Sequence, residues 1–540
     1  MLLNTLKNLL LKMQIPNLKN ILNTEKFRLT AVALSGILSS VAFFNPNLFF
    51  IQWFSYIPFF IALFSETEKT KRSFIYGFLF NFIKSVVVFS MFFELLHMDF
   101  GISKLMISPL IVLIIISVAA VQSIIFGFAA KLSKLIFKNS SSLIICIGFV
   151  SSIFTFAELS KSLFERILVF DYFGFPWVMT YITQQNFTCA IQSAAIFGAH
   201  FITLLVFLFN VAFAVFIVKK DKASKISVFV VLSLLIMNFA YGLFSLNTEK
   251  SNEQISVTIY QDNVSSYSKW NNSPTEICDN FVSDTKKYLS EKKTDVILMS
   301  ETVFPLTLNS SASKSAKSIT ETLKYFSKKY NLKIVCGAFN KSDENKYNSL
   351  YMFDKGTLSE QIYNKRILVP FGEYMPLENT LSKILPSNIF NLSGTSLLSG
   401  DSETVITSDI AKFGTLICFD SIFDFVASES VREGAEIFLL STNDSWYNDS
   451  AATKQHFGHA VFRAVENRRS VVRCAATGIS GFINPYGQTL SKTSLLEKEM
   501  LTEDCELRND ITPFSRFGYC YLYLIILLMS LYYAIKLKKQ

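Results

Sequence analysis

Three residues at the ends of apolar runs could carry chemistry together. Glu301 follows Val296-Ile297-Leu298-Met299-Ser300, Lys365 lies in Tyr363-Asn364-Lys365-Arg366, and Cys418 ends Phe413-Gly414-Thr415-Leu416-Ile417. A carboxylate, an ammonium and a thiol are the parts of a covalent acyl-transfer site. A thiol with a free pKa of about 8.5 needs a base or a positive neighbour to act at neutral pH. Taken singly, each has a plainer explanation: a strand-end cap, a surface lysine, a packed cysteine. Their order along the chain, and the text around each, favour the joint reading.

Such residues need a sheet to hold them. Between 255 and 505 short strand-like runs alternate with polar helical patterns. The runs are 255–260, 295–300, 333–339, 349–353, 412–418, 436–442, 471–475 and 479–484, and helices are expected over 280–292 and 316–330. Buried strands alternating with helices imply a layered α/β domain, and reactive residues at strand ends are where such sheets build sites. The Ser-rich stretch 307–318 reads as a surface loop.

The rest of the chain is of another kind. Charged residues make up 17% and hydrophobic residues 51% of the 540, with 54 Phe. A soluble domain carries about 25% charged residues. Eight apolar runs, at about 29–44, 48–64, 73–93, 105–130, 143–157, 199–218, 227–246 and 519–535, approach the ~20 residues that cross a bilayer as a helix. With the N-terminus inside, the inside segments 1–28, 66–72, 131–138, 219–225 and 536–540 hold 5, 3, 3, 4 and 3 Lys and Arg. The short outside segments 45–47, 94–104 and 158–198 hold 0, 1 and 2. That bias predicts the orientation. Residues 1–28 form a basic cytoplasmic segment, 29–246 hold seven spans, 247–512 form an outer domain, and 513–540 give a last span and a basic tail. The net charge of +9 then reflects topology signals, and no nucleic-acid motif appears.

The aromatic stretch 164–181 reads as interfacial anchoring, with a lipid entrance as the alternative. Lys84, inside the third span, has no evident role. No metal is expected: the eight Cys show no zinc spacing, and His456 and His459 lack a third ligand.

The α/β domain resembles the nitrilase, or carbon–nitrogen hydrolase, superfamily. The resemblance rests on Glu301-Thr302-Val303-Phe304-Pro305, Lys365 with Val369-Pro370-Phe371-Gly372-Glu373-Tyr374-Met375-Pro376, Cys418-Phe419-Asp420, Thr442-Asn443-Asp444-Ser445-Trp446, and Gln455-His456 with Arg463-Ala464-Val465-Glu466-Asn467-Arg468. With eight spans around it, the whole chain resembles the branch of that superfamily that acylates lipoproteins. The resemblance implies an αββα sandwich inserted in a polytopic helical membrane protein. It implies a Glu301, Lys365, Cys418 triad with Cys418 as nucleophile, and no cofactor. Glu373, Phe419 and Asp420 become supporting residues, and Trp270 and Trp446 candidates for the substrate entrance. The implied acyl donor is a phospholipid and the acceptor a diacylglyceryl apolipoprotein. The implied location is the bacterial inner membrane, with the catalytic domain periplasmic. Two positions depart from the family pattern. Phe419-Asp420 stands where Tyr-Glu is usual, and Asn364 stands where Asp is usual.

A membrane-tethered amidase would need only one or two anchors. A transporter with a degenerate outer domain would have lost part of the triad. Eight charge-biased spans and an intact trio disfavour both.

Overall fold

The computed structural model describes residues 24–65, 70–97, 103–167, 175–248, 251–265, 268–370, 372–374, 397–400 and 405–538. Residues 1–23 of the expected basic segment, 168–174 of the aromatic stretch, and Phe371, Met375 and Pro376 lie outside them.

Among the described residues, seven long apolar helices precede the α/β domain. Asn45 ends the first, Glu25–Phe44, in an extended conformation and caps the next turn, accepting from the Asn47 N–H at 3.1 Å. The run 46–65 is therefore a second element, opened by the 3-10 turn Pro46–Ile51 and continued by Ile57–Ser65. Lys104–Asn139 and Leu143–Ile167 are longer than their apolar runs. The basic inside segment 131–138 continues the first of these as helix, because nothing in it breaks the backbone pattern. Lys220, left-handed at φ 54°, and Asp221, which caps Ser224, turn Ala199–Lys219 back into Lys222–Leu246. The eighth expected span falls on the helix Cys520–Lys538, whose apolar stretch, Cys520–Tyr532, is shorter than the seven long apolar helices before it. Its Leu522 joins Leu159, Phe514 and Tyr519 in one small cluster.

Lys84 pairs with Glu158 at 2.9 Å, both fully buried. Glu158 also accepts from the Thr180 N–H at 2.7 Å and its hydroxyl at 2.6 Å. The lysine that is costly against lipid is thus one half of a satisfied interior pair.

The α/β domain holds two sheets. In spatial order the first runs Glu499–Glu506, Gln254–Gln261, Val296–Met299, Lys333–Ser342, Asn345–Asp354 and Thr357–Leu358. The second runs Thr489–Lys492, Gly481–Ile483, Val471–Ala475, Ile437–Thr442, Lys412–Ile417 and Val405–Thr407. Strand alternation sorts the side chains into layers. Ile437 and Leu439 meet Val257, Leu298 and Val335 between the sheets. Phe438 and Leu440 point the other way, toward the helices Asp424–Arg432 and Ala451–Asn467. Pro274–Leu289 and Lys314–Tyr330 cover the outer face of the first sheet. The result is the expected four-layer αββα sandwich. The helix at Lys314 begins inside the expected Ser-rich loop, because the Ser313 hydroxyl accepts from the Ala316 N–H at 3.1 Å.

The helical layer on the second sheet does not face solvent. Phe419, Ile422, Phe438, Ala460 and Val465 share one core with Phe43, Val88, Phe89 and Ile111 of the spanning helices. The Ala199 N–H donates to Glu466 at 2.8 Å, and Arg468 donates to the Gln192 side chain at 2.7 Å. The membrane part and the sandwich are one packed body along this face.

Candidate active site

Glu301, Lys365 and Cys418 converge. Glu301 follows the strand Val296–Met299, and Cys418 follows Lys412–Ile417 in the other sheet. Lys365 follows Tyr363–Asn364, and its N–H donates to the Asn348 carbonyl at 2.8 Å. The Lys365 ammonium lies 3.0 Å from Glu301 Oε1 and 2.9 Å from Glu373 Oε2. Asn348 Nδ2 bridges the same two carboxylates, at 2.7 Å to Glu301 Oε1 and 2.9 Å to Glu373 Oε1.

The two carboxylates are not equivalent. Glu373 has both oxygens engaged, since Oε2 also accepts from the Val369 N–H at 2.9 Å. Glu301 takes both of its side-chain partners on Oε1, and among the described residues Oε2 accepts none. The free oxygen is the one able to receive a proton.

Burial works against the Lys365 charge, but Glu301 and Glu373 hold its pKa well above the usual lysine range. Burial, then Glu301, pushes the Cys418 thiol up, and Lys365 opposes the shift. At neutral pH the pair is an ammonium beside a protonated thiol, so a base must take the thiol proton for attack.

Cys418 has φ 49°, in the left-handed region that costs a non-glycine residue about 1–2 kcal/mol. The 3-10 turn Cys418–Ile422 holds it there. Asp420 fastens that turn to the lysine segment. Its carboxylate accepts from the Tyr363 hydroxyl at 2.7 Å, and from the N–H groups of Arg366 at 3.2 Å, Ile367 at 2.8 Å and Ile417 at 3.0 Å. Aspartate, one methylene shorter than the usual glutamate, thus reaches four donors. Burial raises its pKa to about 6, against Lys365 and those donors. Asn364, at the other departure, accepts from Ser349 Oγ at 2.6 Å and Asn340 Nδ2 at 3.2 Å.

Phe419 stacks on Phe175 at 5.7 Å, and Phe175 on Trp177 at 5.5 Å. Trp177 and Tyr181 are buried against the sandwich, which corrects the interfacial-anchoring expectation for these residues. A strap over 175–184 is held by its backbone. Gln122 donates to the Phe175 carbonyl and Lys161 to the Val178 carbonyl, each at 3.0 Å, and Glu158 accepts from Thr180. The entrance candidates lie apart from these contacts. Trp270 is exposed and stacks on Phe339 at 5.9 Å, and Trp446 is half-buried in the turn after Ile437–Thr442.

Sequence reasoning missed Asn348, Lys269 and Tyr447. A lone Asn inside a strand is the only signal for the first. Lys269 is buried, with its ammonium on Thr302 Oγ1, 3.3 Å from the Thr302 carbonyl and 3.5 Å from the Glu301 carbonyl. Burial lowers its pKa to about 8, and Glu301 opposes the shift. Tyr447 lies close enough to Cys418 to add to the upward shift that burial imposes on its hydroxyl. His456, read as structural, turns to Asp444 and the Cys418 carbonyl.

A nitrilase-type sandwich fused to seven apolar helices, with a carboxylate, lysine and cysteine meeting at its strand ends, defines a polytopic membrane protein of the carbon–nitrogen hydrolase class. The carbon-nitrogen hydrolase model matches residues 257–510, and the apolipoprotein N-acyltransferase N-terminal domain model matches residues 35–212. An apolipoprotein N-acyltransferase of Borreliella burgdorferi is 27% identical over 92% of this chain and 93% of its own length. One of Geobacter metallireducens is 26% identical over 90% of each. Among solved structures, Saccharomyces cerevisiae Nit3, of branch 10 of the nitrilase superfamily, matches at 18% identity and TM-score 0.37, covering 48% of this chain and 92% of that one. The chain is thus similar, over about nine-tenths of its length, to apolipoprotein N-acyltransferases.

Proposed function

We propose that the chain N-acylates the terminal S-diacylglyceryl cysteine of apolipoproteins, taking the acyl group from a phospholipid through a Cys418 thioester. The observation that carries this reading is the meeting of Glu301, Lys365 and Cys418 beside a face packed on membrane-spanning helices.

Glu301 Oε2 takes the thiol proton, and the thiolate attacks the ester carbonyl of the phospholipid. Lys365 Nζ and the Phe419 N–H stabilise the tetrahedral oxyanion. Collapse breaks the ester C–O bond. The departing lysophospholipid oxygen takes the proton from Glu301, and the S-acyl enzyme remains. The acceptor α-amine then attacks the thioester, Glu301 takes its proton, and the amide forms as the Cys418 sulfur leaves and is reprotonated. Glu373 holds Lys365, and Asp420 holds the turn. Apolar surroundings keep water from the thioester. Trp270 and Trp446 border the path of the lipid substrates. The lysine and arginine bias supports a sandwich on the periplasmic side of the inner membrane.

The test incubates the purified full chain with phospholipid and a diacylglyceryl peptide. The expected result is an acyl mass shift on the Cys418 peptide, release of lysophospholipid, and N-acylated product. A well-folded Cys418→Ala protein that still N-acylates the peptide overturns the covalent mechanism.

A further inference from the structure

The peptide unit joining Cys418 to Phe419 has two ends. Its N–H, on Phe419, is a donor to the oxyanion in the mechanism above. Its carbonyl, on Cys418, is held by residues that mechanism does not use. Ser421 Oγ donates to that carbonyl at 2.7 Å, and His456 Nε2 lies 3.2 Å from it and 3.2 Å from Ser421 Oγ. His456 belongs to the helix Ala451–Asn467 and is 1% exposed.

A buried chain of charge stands behind the ring. Asp444 Oδ1 lies 2.8 Å from His456 Nδ1, and Asp444 Oδ2 accepts from Arg473 Nη2 at 2.7 Å. Burial works against the Asp444 charge, but Arg473 and then His456 hold its carboxyl well below the usual range. Arg473 Nη2 also lies 3.2 Å from Nδ1, but the carboxylate oxygen is nearer, at 2.8 Å, and only accepts, so Nδ1 carries a proton toward Asp444. Ser421 spends its own proton on the Cys418 carbonyl, so Nε2 faces acceptors as well. Space is kept for the carboxylate: a Cβ on Gly478 would come within 2.4 Å of Asp444 Oδ2. Trp177, on the strap from the membrane part, covers the ring at 5.6 Å between centroids.

We propose that His456 is a positioning residue for the oxyanion site, acting through the Cys418–Phe419 peptide. Oriented by Asp444, and carrying a proton on each ring nitrogen, it donates to the Cys418 carbonyl from Nε2. That bond fixes the plane of the peptide and polarises it, which strengthens the N–H at its other end. It also helps hold Cys418 at its left-handed φ. His456 touches neither substrate nor the sulfur. The inference rests on the proposed acyl transfer, because only that step develops an oxyanion.

Two side chains divide the histidine. In Gln, the amide nitrogen stands in for Nε2 and keeps the donor to Cys418. In Asn, it stands in for Nδ1 and keeps only the contact with Asp444. Each full-length variant is assayed in two single-turnover reactions. One is acylation of Cys418, with phospholipid and separately with an activated p-nitrophenyl ester. The other is alkylation of Cys418 by iodoacetamide, a displacement at carbon that forms no oxyanion. His456→Asn is expected to slow acylation about 10- to 100-fold, less than the 10²–10³ of deleting an oxyanion donor outright. The loss falls on kcat, not KM. His456→Gln is expected to stay within about 3-fold of wild type, and alkylation within about 3-fold in both.

Acylation by His456→Asn at the wild-type rate overturns the proposal. So does an equal loss in acylation and alkylation, which marks a merely structural role. So does a His456→Gln as slow as His456→Asn. If His456→Asn does not fold, Ser421→Ala decides. It removes the other donor to the same carbonyl, and is expected to slow acylation about 2- to 10-fold with alkylation unchanged. A wild-type acylation rate there overturns the proposal. A wild-type protein that accepts the activated ester but not phospholipid strikes the proposed acyl donor and not His456.

Discussion

Replacing each carboxylate of the site with its amide separates the base from the support. In Glu301→Gln the amide oxygen still accepts from Lys365 and Asn348, as Oε1 does at 3.0 and 2.7 Å, so the shape persists. What disappears is the free, basic Oε2. A placed general base is worth about 10²–10⁴ in rate, and that is the expected loss. Glu373 is engaged on both oxygens. In Glu373→Gln, one side of the amide presents N–H to a donor, and the charge facing Lys365 is lost. A hydrogen bond to a charged group is worth about 1.5–3 kcal/mol against about 0.5–1.5 for a neutral one. The difference, about 1–1.5 kcal/mol, is roughly 5- to 13-fold at 1.36 kcal/mol per decade. Single-turnover charging of Cys418, read by mass, and transfer to a diacylglyceryl peptide measure both variants. Glu301→Gln should be the slower in both steps. If Glu301→Gln charges Cys418 at the wild-type rate while Glu373→Gln does not, the roles are exchanged and the argument from the free oxygen fails.

Lys269→Met removes a buried cation whose pKa of about 8 lies below the ordinary lysine value of about 10.4. The unfolded chain then binds the extra proton between pH 8 and 10, so this group's contribution to stability rises with pH across that window, by about 3 kcal/mol. The variant should lack that rise, seen as a smaller change in thermal midpoint between pH 8 and 10. An unchanged pH profile would show that Lys269 is not the source. Lys84→Met leaves Glu158 without its ion-pair partner and should destabilise by about 3–5 kcal/mol. Lys84→Met with Glu158→Gln should recover part of that, and equal thermal midpoints for wild type and the single variant would refute it. A cysteine placed in 219–225 should resist a membrane-impermeant thiol reagent in intact cells, and labelling there would reverse the orientation.

The strands whose side chains are apolar on both faces were legible. Runs 255–260, 333–339, 412–418, 436–442 and 471–475 match observed strands within a few residues. Glu499–Glu506 was not legible, because this acidic, half-buried edge strand has no apolar run to mark it. Apolar length located all seven N-terminal helices but not their ends, since the helices continue through polar turns. At the site, local text singled out Glu301, Lys365 and Cys418, which the fold brings together. It could not identify Lys269, Asn348 or the partner of Lys84. Each is polar among ordinary neighbours and acquires its meaning only from a residue far along the chain.

The shared core has a consequence for assembly. Ile111 and Phe89 lie in it beside Phe419 and Phe438, some 300 residues later in the chain. At about 5–20 residues per second, synthesis separates the two groups by roughly 15–60 s. The spanning helices and their strap must wait through that interval with an apolar face uncovered, and the sandwich then closes onto a surface made before it. The helices are thus a template for a domain made after them. A substitution in their strap can leave insertion intact and still prevent the sandwich from docking. The sandwich produced alone would expose the same face with nothing to meet it, and would aggregate rather than fold as a soluble enzyme.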